Sequence, residues 1–95
     1  MYCVTCLDHP DSEPLRLETR AAHLDYVLSK GDMVQLAGPV TSEDGATMTG
    51  TLLFLNVDSA AEAQAFVDGD PYHKAGLFAE TRIHRFKHLL GGVAD

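Results

Sequence analysis

The stretch that decides the fold is Met33–Val57, MVQLAGPVTSEDGATMTGTLLFLNV. Its ends are apolar and β-branched, and its middle holds Asp44-Gly45, a dipeptide suited to the positive backbone angles of a tight turn. It reads as two consecutive strands: Met33–Gly38, stopped by Pro39, and Thr47–Val57, where Gly50 marks a bulge or a close backbone approach. Two strands joined by a turn pair antiparallel.

Working outward, each strand of this pair is flanked by a helical pattern. On the N-terminal side, Glu13–Lys30 repeats Leu17, Ala21, Leu24 and Leu28 at three- and four-residue steps. Asp11 or Ser12 is the candidate cap, and Gly31 is the stop. On the C-terminal side, Asp58 or Ser59 opens an alanine-rich helix that runs to about Asp68, with Glu62 close behind the cap. The outermost segments, Tyr2–Asp8 and Leu77–Lys87, read as strands. The order β-α-β-β-α-β predicts an α+β, ferredoxin-like fold: an antiparallel sheet with two helices on one face, in a single domain over residues 1–95. The other face then keeps apolar residues with nothing over them. Leu53, Leu55, Phe78 and Ile83 are the expected ones, and a second copy of the chain is the expected cover.

Composition narrows the function. Seven basic and fourteen acidic residues give a formal charge of −7, which argues against nucleic acid, since a phosphate binder needs a basic stripe. Arg82, Arg85 and Lys87 read as a solvated strand face. No apolar run reaches the ~20 residues of a membrane span. The N-terminus lacks the basic flank and apolar centre of a signal peptide, so a cytoplasmic location is expected. Nucleotide-binding glycine motifs and a serine-hydrolase elbow are missing.

Two cysteines and a histidine, Cys3, Cys6 and His9, have metal-like spacing, but a strand sends residues three apart to opposite faces. Core packing is the expectation there, with zinc or redox chemistry as the alternative. No metal and no cofactor are expected. On the first helix Arg20 and His23 are surface neighbours, and His23 flanks the apolar stripe on the side of Val27. A histidine in a groove can exchange a proton near neutral pH; the plainer alternative is a half-buried ring bonded to backbone. In "DGDPYHKAGLF" (Asp68–Phe78), Asp70 before Pro71 is steered out of helical backbone, and its carboxylate can orient a histidine. Tyr72 can donate to an oxyanion or simply pack, and Gly76 lets backbone approach a ligand. An ordinary Asp-Pro turn is the alternative.

The stretches "RAAHLDYV", "LAGPV" and "AEAQAFVDGDPYHKAGLF", in order and at the right spacing, resemble the YCII-related (YciI-like) family. That resemblance implies a dimeric α/β barrel, built by packing two sheets, and a likeness to muconolactone isomerases. One branch of the family removes chloride from a chlorinated hydroxyhydroquinone. It also implies a His–Asp site, here His23 and Asp70, supported by Arg20, Gly38, Pro39, Tyr72 and Gly76. His73 departs from the family's usual small or aliphatic residue, and the short loop after the second strand leaves room for only a small lid. The expected function is a cofactor-independent lyase or isomerase for a small cyclic or aromatic molecule. A non-catalytic binding module and a cofactor-free monooxygenase are the alternatives.

Overall fold

The computed structural model describes residues 1–92. The elements run β1 (Tyr2–Asp8), α1 (Glu13–Ser29), a 3-10 turn (Gly31–Met33), β2 (Val34–Thr41), β3 (Met48–Leu55), α2 (Ala60–Gly69), α3 (Pro71–Lys74) and β4 (Phe78–Arg85). One antiparallel sheet has the order β2-β3-β1-β4. The α+β, ferredoxin-like expectation is met. Two details differ. Pro39 does not stop β2, because β2 is an edge strand and can lose one donor without breaking a central ladder. The corner after α2 is a one-turn helix, α3, rather than a bare turn.

The core lies between the sheet and the helices. Val4 and Cys6 of β1 are fully buried and pair in register with Leu53 and Thr51 of β3. With Leu55, Val57, Ala63, Phe66 and Val67 they make one cluster, each large aliphatic side chain contributing about 1.5–3 kcal/mol. Leu53 and Leu55 therefore face the helices, and Ile83 and Phe78 pack against the same cluster. This corrects the expectation that these four line the uncovered face. The register of β3 on β1 decides the matter, since one residue of slip would exchange the faces. The side chains on the open face are instead Leu7, Leu36, Leu52, Phe54 and Phe86, with Leu7, Leu36 and Phe86 about 40% exposed (39%, 42% and 40%). Phe54 and Phe86 meet edge to face there, 5.1 Å between centroids.

Gly50 sits where two backbones close on each other: a Cβ there would stand 2.5 Å from the Cys6 carbonyl oxygen. Ser59 caps α2, its Oγ accepting from Glu62 N at 3.2 Å, while the Glu62 carboxylate accepts from Asp58 N at 3.4 Å.

The face that α1 buries is also not the expected one. Leu17, Leu24 and Leu28 are 54%, 43% and 77% exposed. The helix turns Arg16, His23, Tyr26 and Val27 inward instead. It can do so because each inward polar group finds a partner: Asp8 for Arg16, Asp70 for His23, and the Phe66 carbonyl for the Tyr26 hydroxyl at 2.8 Å.

Candidate functional site

Asp70 stands at an elbow. Its N–H closes α2 on the Val67 carbonyl at 3.0 Å, and its extended backbone (φ −68°, ψ 128°) turns the chain into α3. Pro71 occupies the first helical position, where a missing N–H costs nothing. The Asp70 carboxylate caps α3 by accepting from Tyr72 N at 2.9 Å. Gly76 ends the turn at φ +78°, with Leu77 N donating to the Tyr72 carbonyl and Gly76 N to that of His73. The proline and the glycine of this corner serve the backbone. The carboxylate, 1% exposed, has capacity left over.

That capacity goes to His23. Its Nδ1 lies 2.9 Å from Asp70 Oδ1 and 3.1 Å from Oδ2, across 47 residues of sequence. A carboxylate only accepts, so the network assigns the proton to Nδ1 and leaves Nε2 with a lone pair. The Tyr72 ring stacks on the imidazole, centroids 4.0 Å apart and planes within 17°. Arg16 completes the group. It donates from Nε to Asp8 Oδ2 at 2.8 Å and from Nη2 to Asp8 Oδ1 at 3.0 Å and Thr51 Oγ1 at 2.7 Å. Its Cζ lies 4.6 Å from the Tyr72 ring centre. Burial pushes the Tyr72 phenol above its usual range; Arg16 opposes that and Asp70 adds to it, so the group stays a donor at neutral pH.

Arg16, His23, Thr51 and Tyr72 line a cleft of about 280 Å³ between α1 and the β2–β3 edge, with Asp8 and Asp70 behind them. Leu24, Val27 and Leu28 form one wall, Ala37, Gly38 and Pro39 the other. Among the described residues every fully buried side-chain nitrogen or oxygen has a hydrogen-bond partner. Among the described residues His23 Nε2 and Arg16 Nη1 have none and so reach open space, in residues that both line this cleft, while the Tyr72 hydroxyl lies near the Arg16 guanidinium. A wider recess of about 540 Å³ at the start of α1 shares Met48 with the cleft. Of its carboxylates, Asp8 is committed to Arg16 and Glu13 to Met48 N at 2.8 Å.

Of the residues singled out from sequence, His23, Asp70 and Tyr72 come together, and Arg20, Gly38 and Pro39 line the cleft with His23 and Tyr72. Gly38 contributes backbone only; its register with Leu52 would send a side chain to the open face. Gly76 lies outside the cleft lining, in the exposed turn that requires its positive φ. His73 is outside it too, exposed and 3.9 Å from Asp68. The sequence reading missed Asp8, Arg16 and Thr51. A signal existed for one of them: Arg16 is seven residues before His23, two turns along the same helix face.

Cys3 and Cys6 take opposite faces of β1, and Cys6 packs in the core with its thiol pushed up to about 11, chiefly by burial. Among the described residues no three His, Cys, Asp or Glu side chains gather as metal ligands, and no helix is long and apolar enough to cross a membrane.

Comparison with known proteins bears on this geometry. The YCII-related domain family matches residues 1–87. Protein YciI of Escherichia coli O6:H1 and that of Shigella flexneri are each 33% identical over 97 aligned positions, covering 95% of this chain and 99% of theirs. The fold also superposes on 5-chloro-2-hydroxyhydroquinone dehydrochlorinase from Burkholderia phenoliruptrix AC1100, solved in complex with 2,5-dihydroxybenzoquinone. The TM-score is 0.83 and the identity 37%, over 92% of this chain and 93% of that one.

Proposed function

The chain belongs to the YCII-related domain family, and from that premise we propose that it is a lyase or isomerase that moves a proton on a small cyclic or aromatic molecule. One observation carries the reading: a histidine held at 2.9 Å by a buried carboxylate, with its other nitrogen open to an apolar cleft. Asp70 fixes the tautomer and stabilises the imidazolium that forms. His23 Nε2 takes a proton from a ring C–H or O–H, and the released electron pair moves through the ring onto an oxygen. In an isomerisation Nε2–H returns that proton to a different carbon. In an elimination the pair flows back from oxygen and expels an anion from the neighbouring carbon, and the imidazolium gives its proton to water. The sum is loss of HX, with no oxidant or reductant. A positioned base of this kind is worth roughly 10²–10⁴ in rate.

The solved neighbour, a dehydrochlorinase acting on an aromatic ring, supports this class of chemistry. The same reading assigns the protein to the cytoplasm, with Cys3 and Cys6 as free thiols. It also gives the open sheet face, where Leu7, Leu36 and Phe86 are half exposed, to a second copy of the chain.

Chloride release from 5-chloro-2-hydroxyhydroquinone, together with a panel of hydroxylated rings and lactones, tests the assignment. The wild type is expected to turn over one of them and His23→Ala to lose at least ~10² of that rate while staying folded. Full activity in His23→Ala removes the base from the mechanism. Tight binding of a ring with no turnover returns the protein to a binding module.

A further inference from the structure

We infer that the substrate of this cleft is a ring with an apolar arm of several carbons, and that the arm lies along α1 toward Leu28. The inference rests on the cleft being the substrate site proposed above, and not on His23 being a base.

The cleft is polarised along its length. At one end the lining is polar, with Arg16, Arg20, Thr51 and Tyr72, and His23 stands next to it. Past His23, every side chain that α1 lends to the lining is apolar: Leu24, Val27 and Leu28. The facing strand follows the same gradient. Pro39 pairs with Thr51 and Ala37 with Leu53, so the step from Pro39 to Ala37 leads away from the polar end. It leads toward the end of α1, where Gly31–Met33 turns the chain into β2. Both walls of that half are therefore carbon.

Size and exposure agree with this division. A cavity of ~150 Å³ is enough to take up benzene, and this cleft measures about 280 Å³. One ring presented to His23 leaves much of the space unfilled, and what it leaves is the apolar half. Leu24 and Leu28 are 43% and 77% exposed. A single exposed leucine is ordinary, but these two stand one turn apart on one wall and form a continuous strip that starts beside His23. Leu28 lies ~7.5 Å beyond His23 along the helix axis, at 1.5 Å per residue, about the reach of a six-carbon chain. Leu17, also exposed, is outside the lining, so the strip belongs to the cleft. An arm laid on it takes carbon surface of both partners out of water.

Calorimetric titration of the full chain with 2,5-dihydroxybenzoquinone, and with homologues carrying one methyl, propyl or hexyl group on a ring carbon, tests the arm. Wild type is expected to bind about twofold tighter for each added carbon, half the full-burial value, because Leu28 stays open on its outer side. The hexyl ring should thus bind about tenfold or more tighter than the parent. Leu24→Gln combined with Leu28→Gln, which keeps bulk and removes carbon surface, should cut that ratio to about twofold or less. Ala37→Phe, which fills the far end, should bring the ratio below one. Both sites are exposed, so the fold is expected to tolerate these changes; if the helix variant unfolds, Ala37→Phe decides. A hexyl ring bound no tighter than the parent, or a ratio that survives both variants, overturns the arm. A flat series together with a change of sedimenting mass in Leu28→Gln gives the strip to a second copy of the chain instead. Failure here is separable from failure of the proposed chemistry. A flat series beside firm binding and turnover of the parent removes the arm alone, and an alkyl gain with full turnover in His23→Ala removes the base alone. No binding by any member removes both.

Discussion

Replacing Asp70 by asparagine exchanges an oxygen for an NH₂ and removes one charge, and the geometry dictates how the histidine must respond. Oδ1 accepts from both His23 Nδ1 and Tyr72 N at 2.9 Å, while Oδ2 lies 3.1 Å from the same Nδ1. An asparagine with its oxygen at the Oδ1 position keeps the cap on α3, but it sets an NH₂ 3.1 Å from Nδ1 and leaves Nδ1–H only the oxygen that already accepts from Tyr72 N. The ring escapes by moving its proton to Nε2, so that Nδ1 accepts from the amide. The atom facing the cleft becomes a donor and is no longer a base. Asp70→Ala differs in kind. It loses the cap, about 1 kcal/mol, and leaves a buried Nδ1–H unpaired, about 1–3 kcal/mol. Together these cost roughly 2–4 kcal/mol, a drop of ~10 °C or more in Tm for a domain of this size. The asparagine variant should lose less than half as much. Thermal unfolding reads the stability difference, and nitrogen-15 NMR of the neutral ring reads the tautomer. The expected outcome is a bare Nε2 in wild type, a protonated Nε2 in Asp70→Asn, and turnover down by ~10² or more in the latter. A ring that keeps its proton on Nδ1 in Asp70→Asn refutes the role given to the carboxylate.

Gly50→Ala should cost about 1–3 kcal/mol in urea unfolding, because its Cβ would stand 2.5 Å from the Cys6 carbonyl and one of two central backbones must move; an unchanged midpoint contradicts the close approach. The Cys6 thiol, raised from 9.0 to about 11 by burial, should resist iodoacetamide at pH 8 until the protein unfolds. Between pH 9 and pH 11 the unfolded chain gives up this proton and the folded one keeps it, so stability present below pH 9 should fall by roughly 2–3 kcal/mol over that window. A flat pH profile in a Cys6→Ala comparison would argue otherwise. Phe54→Glu, on the open sheet face, should turn a sedimenting dimer into a monomer with little effect on its secondary structure, and a wild-type monomer at micromolar concentration contradicts the covered-face reading.

The order of elements was legible because it is written in local chemistry: Asp44-Gly45 between two strand-like runs, Ser59 with Glu62 at the start of α2, Gly31 after α1. The faces were not. Leu17, Leu24 and Leu28 outweigh Arg16 and His23 in any count of apolar positions, yet the helix buries the latter pair. Their partners lie elsewhere in the chain, Asp70 47 residues from His23 and Thr51 35 residues from Arg16, and periodicity carries no information about such pairs. The open sheet face failed for a related reason. It depends on the register of β1 against β3, and both alternating sets of β3, Leu53 with Leu55 and Leu52 with Phe54, are apolar enough to be core. The pairing of His23 with Asp70 came from family resemblance more than from spacing, and the resemblance did not extend to Asp8, Arg16 or Thr51.

Among the described residues the buried polar side chains are Arg16, His23, Thr51 and Asp70, and all four belong to one connected site. Stability does not explain them. A buried ion pair roughly breaks even against apolar side chains of the same volume, and often does worse. A chain of 95 residues has a small core and a net stability of only ~5–15 kcal/mol. Four scattered polar burials would read as separate accidents of packing. Four joined at one cleft, three of them lining it and two directing nitrogens into it, read as a site that the fold maintains against its own stability. The consequence is sharp. Asp8→Leu combined with Arg16→Met should unfold no more easily than the wild type, while binding of 2,5-dihydroxybenzoquinone, read by calorimetry, weakens by about tenfold or more. A double variant that is strongly destabilised would make the arginine a structural strut, and its place beside the cleft incidental.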